Sequence, residues 1–136
     1  MSSISTIALS GMSAAVRRLE VSASNVANFM STGALPNADG TVPAGAPRAY
    51  APLELVQTAS AGGGTQTTVT TATPSTTAVF DPQAPFANQN GLVAAPNVDL
   101  SLEIVGQMIA SYSFAANAAV LKADDRMNKT LLNITA

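Results

Sequence analysis

The sequence has no cysteine, no histidine and no tryptophan, and charged residues make up only 10% of its 136 positions. Without cysteine there is no disulfide framework, no thiolate nucleophile and no cysteine-ligated metal. Without histidine the commonest metal ligand and the usual general base near neutral pH are both missing. Six basic residues, scattered along a chain of net charge −2, do not form the clustered cationic surface that phosphate backbones require. These absences argue against an enzyme, a nucleic-acid binder and a small-molecule site. No catalytic, cofactor-binding or metal-binding residue is expected, and no cofactor.

What is present is small and apolar. Apolar residues reach 47%, but aromatics are only 4% and alanine supplies much of the rest. Small side chains bury little area each, so an isolated monomer is expected to be poorly stabilised for its length. Close helix packing and assembly are the better source of stability.

Residues 97–136 dominate the chain. Pro96 cannot continue a preceding helix, Asp99 or Ser101 can accept the free amides of a first turn, and Glu103 suits the positive helix end. From there Leu102, Val105, Ile109, Tyr112, Ala116, Ala119 and Ala123 recur at three- and four-residue steps, a helical stripe. A helix running to about Leu132 spans roughly 45–50 Å at about 1.5 Å per residue. Between Glu103 and Lys122 it carries no Asp, Glu, Lys or Arg, so it has no strongly solvated face for about five turns. An uncharged run of this length approaches a membrane span, but Gln107, Ser111, Ser113 and Asn117 interrupt it and alanine stands where leucine would be expected. Burial against protein helices is expected, with no direct membrane span.

The other end also reads as a helix, over residues 1–28. Ala8, Met12, Ala15, Leu19, Ser22 and Val26 form a narrow seam suited to one close neighbour, with larger residues at Met12, Leu19 and Val26. Asn28 and Gly33 mark its end, glycine being able to take the left-handed conformation there. The apolar N-terminus does not resemble a secretory signal, because Arg17 and Arg18 follow the apolar run instead of preceding it.

Residues 29–96 hold all eight prolines and most of the glycine. Short β-rich runs at residues 49–58, 66–73 and 78–80, with Gly62, Gly63 and Gly64 between the first two, read as a small two- or three-stranded element on loops. The expected organisation is therefore mainly α. Residues 1–28 and 97–136 form one discontinuous helical domain of antiparallel, coiled-coil-like helices, with the loop and β region 29–96 between them.

Several local patterns have plain readings. Asp124 and Asp125, among Lys122, Arg126 and Lys129, read as surface ion pairs. The glycine triplet lacks the Gly-Lys-Ser/Thr of a phosphate loop and reads as a turn, and the tripeptides at Asn128 and Asn133 read as chance matches to a glycosylation site. Threonine-rich residues 66–77 read as solvated strand faces. Arg17, Arg18 and Glu20 read as one exposed face, or as partners for Asp99 or Glu103 of a neighbouring copy. Asn25, Asn28 and Asn117 are candidates for buried hydrogen bonds at helix ends or between helices.

The segment Ser24-Asn25-Val26-Ala27-Asn28 with Thr32-Gly33 resembles the Asn-x-x-Asn signature of the bacterial flagellar axial proteins, most closely the short proximal-rod members. Phe80-Asp81-Pro82, Pro85-Phe86-Ala87, Gly91-Leu92-Val93 and Pro96-Asn97-Val98-Asp99 resemble that family's approach to the last helix. Phe114, Ala116-Asn117, Val120-Leu121-Lys122, Asp125 and Met127 resemble the helix itself. The resemblance covers roughly half the chain, and residues 35–79 carry little of it. It implies a structural subunit of the basal-body rod, exported by the flagellar type III apparatus without a cleaved signal, that polymerises helically through its terminal helices into a tube. Its partners would be copies of itself, other flagellar axial proteins and the export apparatus. The residues expected at the assembly interface are Met12, Ala15, Leu19, Asn25, Val26, Asn28, Val105, Ile109, Tyr112, Ala116, Asn117 and Ala119. The rival class is a secreted, non-polymeric helical adaptor or binding module, which would stop at a small stoichiometric complex.

Overall fold

A computed structural model describes residues 3–37 and 39–134. It is mainly α, with two long helices and a small β region of two two-stranded sheets between them. Helix α1 is Ser3–Asn28 and helix α2 is Leu100–Ile134. The strands are β1 (Leu53–Ala59), β2 (Thr65–Thr71), β3 (Thr76–Phe80) and β4 (Leu92–Pro96). Residues 1–2 and 135–136 of the expected helical stretches lie outside the described residues, as does Thr135 of the Asn133 tripeptide.

Helix α2 begins where the sequence places its start. The Asp99 carboxylate accepts the amide hydrogens of Ser101 at 2.9 Å and Leu102 at 3.1 Å, satisfying donors that a first turn leaves free. Helix α1 ends at Asn28, whose side-chain amide donates to the Ser24 carbonyl at 2.9 Å. Gly33 is not left-handed, contrary to the sequence expectation. Its role is close approach: a Cβ there would stand 2.1 Å from the Ala49 amide nitrogen and 2.4 Å from the Arg48 carbonyl carbon.

The chain divides into two compact units: Met1–Val21, Leu55–Val69 and Ile104–Ala136 form the first, and Ser22–Glu54 and Thr70–Glu103 the second. In the first, α1 and α2 residues meet in opposite order, since Ser5 donates its hydroxyl to the Asp124 carboxylate while Gly11 packs on Asn117. A Cβ on Gly11 would lie 2.5 Å from Asn117 Oδ1, so only glycine permits this approach without moving Asn117. The tip of the β1–β2 hairpin belongs to the same unit. It closes through Ser60 and Gly64, and the Thr65 amide donates to Ser10 Oγ at 3.1 Å.

The second unit holds β3 and β4, paired antiparallel from Thr76 opposite Pro96 to Phe80 opposite Leu92. The second edge of β4 is capped by Gly33, which exchanges two backbone hydrogen bonds with Ala94 at 2.8 and 2.9 Å. Val93 and Ala94 are consequently the best buried apolar residues of this unit. Strand β4 is absent from the sequence reading, because a five-residue Leu-Val-Ala-Ala-Pro run ending in proline carries little strand signal.

Among the described residues the buried apolar side chains are alanines, valines and the prolines Pro52 and Pro96; no leucine, isoleucine, methionine or aromatic is buried. The small core expected from composition is present, and the larger apolar residues lie outside it.

Candidate assembly interface

In the first unit α1 is buried along Ala8, Ala14, Ala15 and Val21, and α2 at Ala110 and Asp124. Together with half-buried Gly11 and Arg18, the inward line on α1 runs 8, 11, 15 and 18. The expected seam shares Ala8 and Ala15 with it, but Leu19 is 42% exposed and Met12 only half-buried. The contact face is thus turned about one residue, or about 100°, from the line of larger side chains. Small residues allow the backbones to approach, and the larger ones are displaced outward.

Helix α2 shows the same rotation. Its inward positions are half-buried Ser113 and Asn117 with buried Ala110 and Asp124, each one residue after the expected stripe positions 109, 112, 116 and 123. The stripe itself faces outward: Leu102 is 69% exposed, Val105 50%, Ile109 48% and Tyr112 72%. Ala116 and Ala119 are exposed as well. Asn117 keeps its amide on its own helix, donating to the Ser113 carbonyl at 2.8 Å. By length and composition α2 would be able to cross a membrane.

Between α1 and α2 of the first unit lies an open groove of about 330 Å³, lined by Ala15, Val16, Leu19, Ala110, Ser111 and Phe114. A second cavity of about 400 Å³ shares Val16 and Phe114 and extends past Leu9 and Met12 to the Arg17–Glu20 pair. Exposed apolar surface of this kind is found at protein–protein and membrane contacts and in ligand-binding grooves.

The second unit is built in the opposite manner. Asn25, 2% exposed, uses both amide hydrogens and both lone pairs. Nδ2 donates to the Leu53 carbonyl at 2.8 Å and to Glu103 Oε1 at 2.6 Å, while Oδ1 accepts from the Leu53 amide at 2.8 Å and the Tyr50 hydroxyl at 3.1 Å. Tyr50 is in turn 2.9 Å from Ser24 Oγ, and buried Ser22 donates to the Glu103 carbonyl at 3.0 Å. The side chain of Asn25 therefore treats Leu53 as a strand treats its neighbour, tying the end of α1 to the start of β1. Val26 and Asn28, half-buried, flank this joint. Tyr50 and Leu53 are the partners that sequence reasoning does not identify.

Charged groups are mostly occupied within the chain. Arg17 pairs with Glu20 at 2.9 Å, Arg18 donates to Gln57 at 3.2 Å, and Glu103 and Asp99 are engaged as described, so the alternative that these acids pair with Arg17 or Arg18 of a neighbour gains no support. Asp125 pairs with Lys129 at 2.7 Å as expected of a surface pair. Asp124 is buried instead of exposed and accepts the Ser5 hydroxyl, because its helix face points at α1 and not at solvent. Among the described residues no group of three or more His, Cys, Asp or Glu is placed to hold a metal ion.

Comparison with known proteins adds the family. Residues 6–34 match the family described as flagella basal body rod protein, and residues 89–134 match the flagellar basal body rod FlgEFG protein C-terminal family. Flagellar basal-body rod protein FlgC of Salmonella typhimurium is 36% identical over 126 residues, covering 92% of this chain and 91% of that protein. The chain belongs to the flagellar basal-body rod protein family. FlgC of Buchnera aphidicola is 31% identical over 132 residues, 97% of this chain and 96% of the relative. Flagellar hook protein FlgE of Escherichia coli is 40% identical over 45 residues, 33% of this chain but 11% of the hook protein. The two matched segments of this rod-family chain contain α1 and α2 almost entirely, and with them the outward stripe, the groove and Asn25.

Proposed function

We propose that the chain is a structural subunit of the bacterial flagellar basal-body rod and polymerises helically through its terminal helices into a tubular axial structure. The observation that carries this reading is the outward stripe of Leu102, Val105, Ile109 and Tyr112 on a helix whose buried residues are Ala110 and Asp124. A side-chain order of that kind leaves the largest hydrophobic gain unrealised until neighbours cover it. In this reading those neighbours are copies of the chain and other flagellar axial proteins, which membership of the rod family and the hook relative support.

In this reading residues 1–28 and 97–136 act as one helical assembly element of antiparallel, coiled-coil-like helices, and the β element within residues 29–96 makes lateral contacts or faces outward. Met12, Leu19, Val105, Ile109, Tyr112, Ala116 and Ala119 meet neighbouring copies directly. Ala15, Asn25, Val26, Asn28 and Asn117 support the interface from within. The subunit works at the flagellar basal body, reached through the flagellar export apparatus without a cleaved signal peptide, and its role is architectural, not enzymatic. Electron microscopy of the purified chain at rising concentration tests the reading: elongated particles are expected, and a small complex of fixed size would overturn it.

A further inference from the structure

In the second unit the chain enters β4 through a turn that Asn88 holds. The Asn88 amide donates to the Leu92 carbonyl at 3.0 Å, its carbonyl accepts the Gly91 amide at 2.9 Å, and its side-chain Oδ1 accepts the amides of Asn90 and Leu92, both at 2.9 Å. Gly91 completes the turn at φ +73°. A Cβ there would stand 2.8 Å from the Phe80 ring, so the turn requires glycine. Asn90 lies directly before it, exposed, and among the described residues its side-chain amide has no hydrogen-bond partner.

That neighbourhood is chemically labile. A free asparagine amide can be attacked by the next backbone nitrogen, and glycine leaves that nitrogen unscreened because it has no Cβ. Of the asparagines in the sequence only Asn90 precedes glycine. Asn25, Asn28, Asn37, Asn88, Asn97 and Asn117 are also tied by their side chains. Asn128 and Asn133 stand on α2, where the helix fixes the backbone.

We infer that Asn90 is a self-modification site, at which the chain converts its own amide to a carboxylate at a rate set by the Asn88 clasp. The Gly91 nitrogen gives its proton to solvent and bonds to Asn90 Cγ. The Cγ–Nδ2 bond then breaks, Nδ2 takes a proton from solvent and leaves as ammonia, and a succinimide ring remains. Water opens the ring at either carbonyl, giving aspartate by one route and isoaspartate, with the main chain rerouted through Cγ, by the other. One water is consumed and one ammonia released, with nothing oxidised or reduced. The Gly91 nitrogen reacts only when its bond to the Asn88 carbonyl opens, and Asn88 Oδ1, holding the amides on both sides of Gly91, resists that opening. Each event makes the chain one unit more negative than its net charge of −2. Isoaspartate also lengthens the main chain between the two amides that Asn88 Oδ1 holds, which loosens the clasp. None of this depends on the polymerisation proposed above.

The test incubates the full-length chain in mildly alkaline buffer made with heavy-oxygen water and maps its peptides by mass spectrometry. Asn90 is expected to convert several-fold faster than any other asparagine, taking up one heavy oxygen and giving an acidic band on isoelectric focusing that Asn90→Gln removes. An Asn90 that stays an amide, or another asparagine that converts first, would overturn the site. Asn88→Ala is expected to speed conversion at Asn90 several-fold with helix content unchanged by circular dichroism; an unchanged rate would overturn the clasp. A comparison that needs no variant is the unmodified chain in urea, where conversion at Asn90 should run several-fold faster than in the native chain. Equal native and unfolded rates would show that the turn sets nothing.

Discussion

The joint around Asn25 and the groove between Ala15 and Phe114 follow opposite rules. At the joint every polar atom of a buried asparagine is answered inside the chain. At the groove and along the α2 stripe, valine, leucine, isoleucine and tyrosine side chains stand exposed while alanine, glycine and serine occupy the inside. One region is finished by its own residues. The other leaves its larger apolar side chains at the surface, where the proposed assembly would cover them.

The contrast breaks most sharply under substitutions that move only one side of it. Replacing Leu102, Ile109 and Tyr112 together by Gln, a good helix former, is expected to abolish assembly as seen by light scattering. The urea midpoint of the dilute chain should meanwhile stay within the equivalent of about 0.5 kcal/mol per site, since these groups are exposed before assembly. The joint should respond in reverse. Asn25→Ala leaves the Leu53 amide and carbonyl and the Glu103 carboxylate without their partner, and a loss of about 3 kcal/mol is expected in urea unfolding.

Gly11 sharpens the account of the seam. Alanine in an open helical position usually gains about 0.5–1 kcal/mol over glycine. Here the added Cβ meets the Asn117 side chain, so Gly11→Ala is expected to destabilise by about 1 kcal/mol. In an Asn117→Ala background the same change should instead stabilise, and a double-mutant cycle measures the reversal. The smallest effect concerns a loop outside both regions. Asp39 accepts the Thr41 hydroxyl at 2.6 Å and the Thr41 amide at 2.9 Å, and the hydroxyl first, then the amide, hold its carboxyl below the usual range. The depressed folded-state value means that whatever this turn contributes is present above the ordinary aspartate pKa and is lost as pH falls through the lowered one. The Thr41 amide shift, followed by NMR into acid, should move only at that lower pH, with no change in global stability.

Much of the frame was legible in residue order. Asp99 could be named as a candidate cap because Pro96 and the following apolar run leave it little else to do. Both helices followed from three- and four-residue spacing, and α1 ends at the Asn28 that the reading named. Which face of each helix the chain itself covers was not legible. At 12, 19 and 26 the larger residues lie beside 11, 18 and 25, both sets completing a heptad-like line with 8, 15 and 22. Choosing the larger set assumes that the apolar side faces inward, which holds for a protein that completes its own core and reverses for a chain whose neighbours complete it. Asn25 was legible as a candidate for a buried hydrogen bond, but Tyr50 and Leu53 were not, since only the tertiary fold brings them to it. Asp124 was misread for the same reason: adjacent acids look alike in sequence, and only the direction of α1 separates the buried one from the exposed one.

Sedimentation velocity of the unmodified chain beside the Leu102, Ile109 and Tyr112 triple-Gln variant, from micromolar to millimolar concentration, addresses the reserved apolar face most directly. The unmodified chain should grow into large, elongated species while the variant sediments as a folded monomer throughout. An unmodified chain that stays monomeric, or a variant that grows equally well, would show that the outward stripe is not what joins the copies.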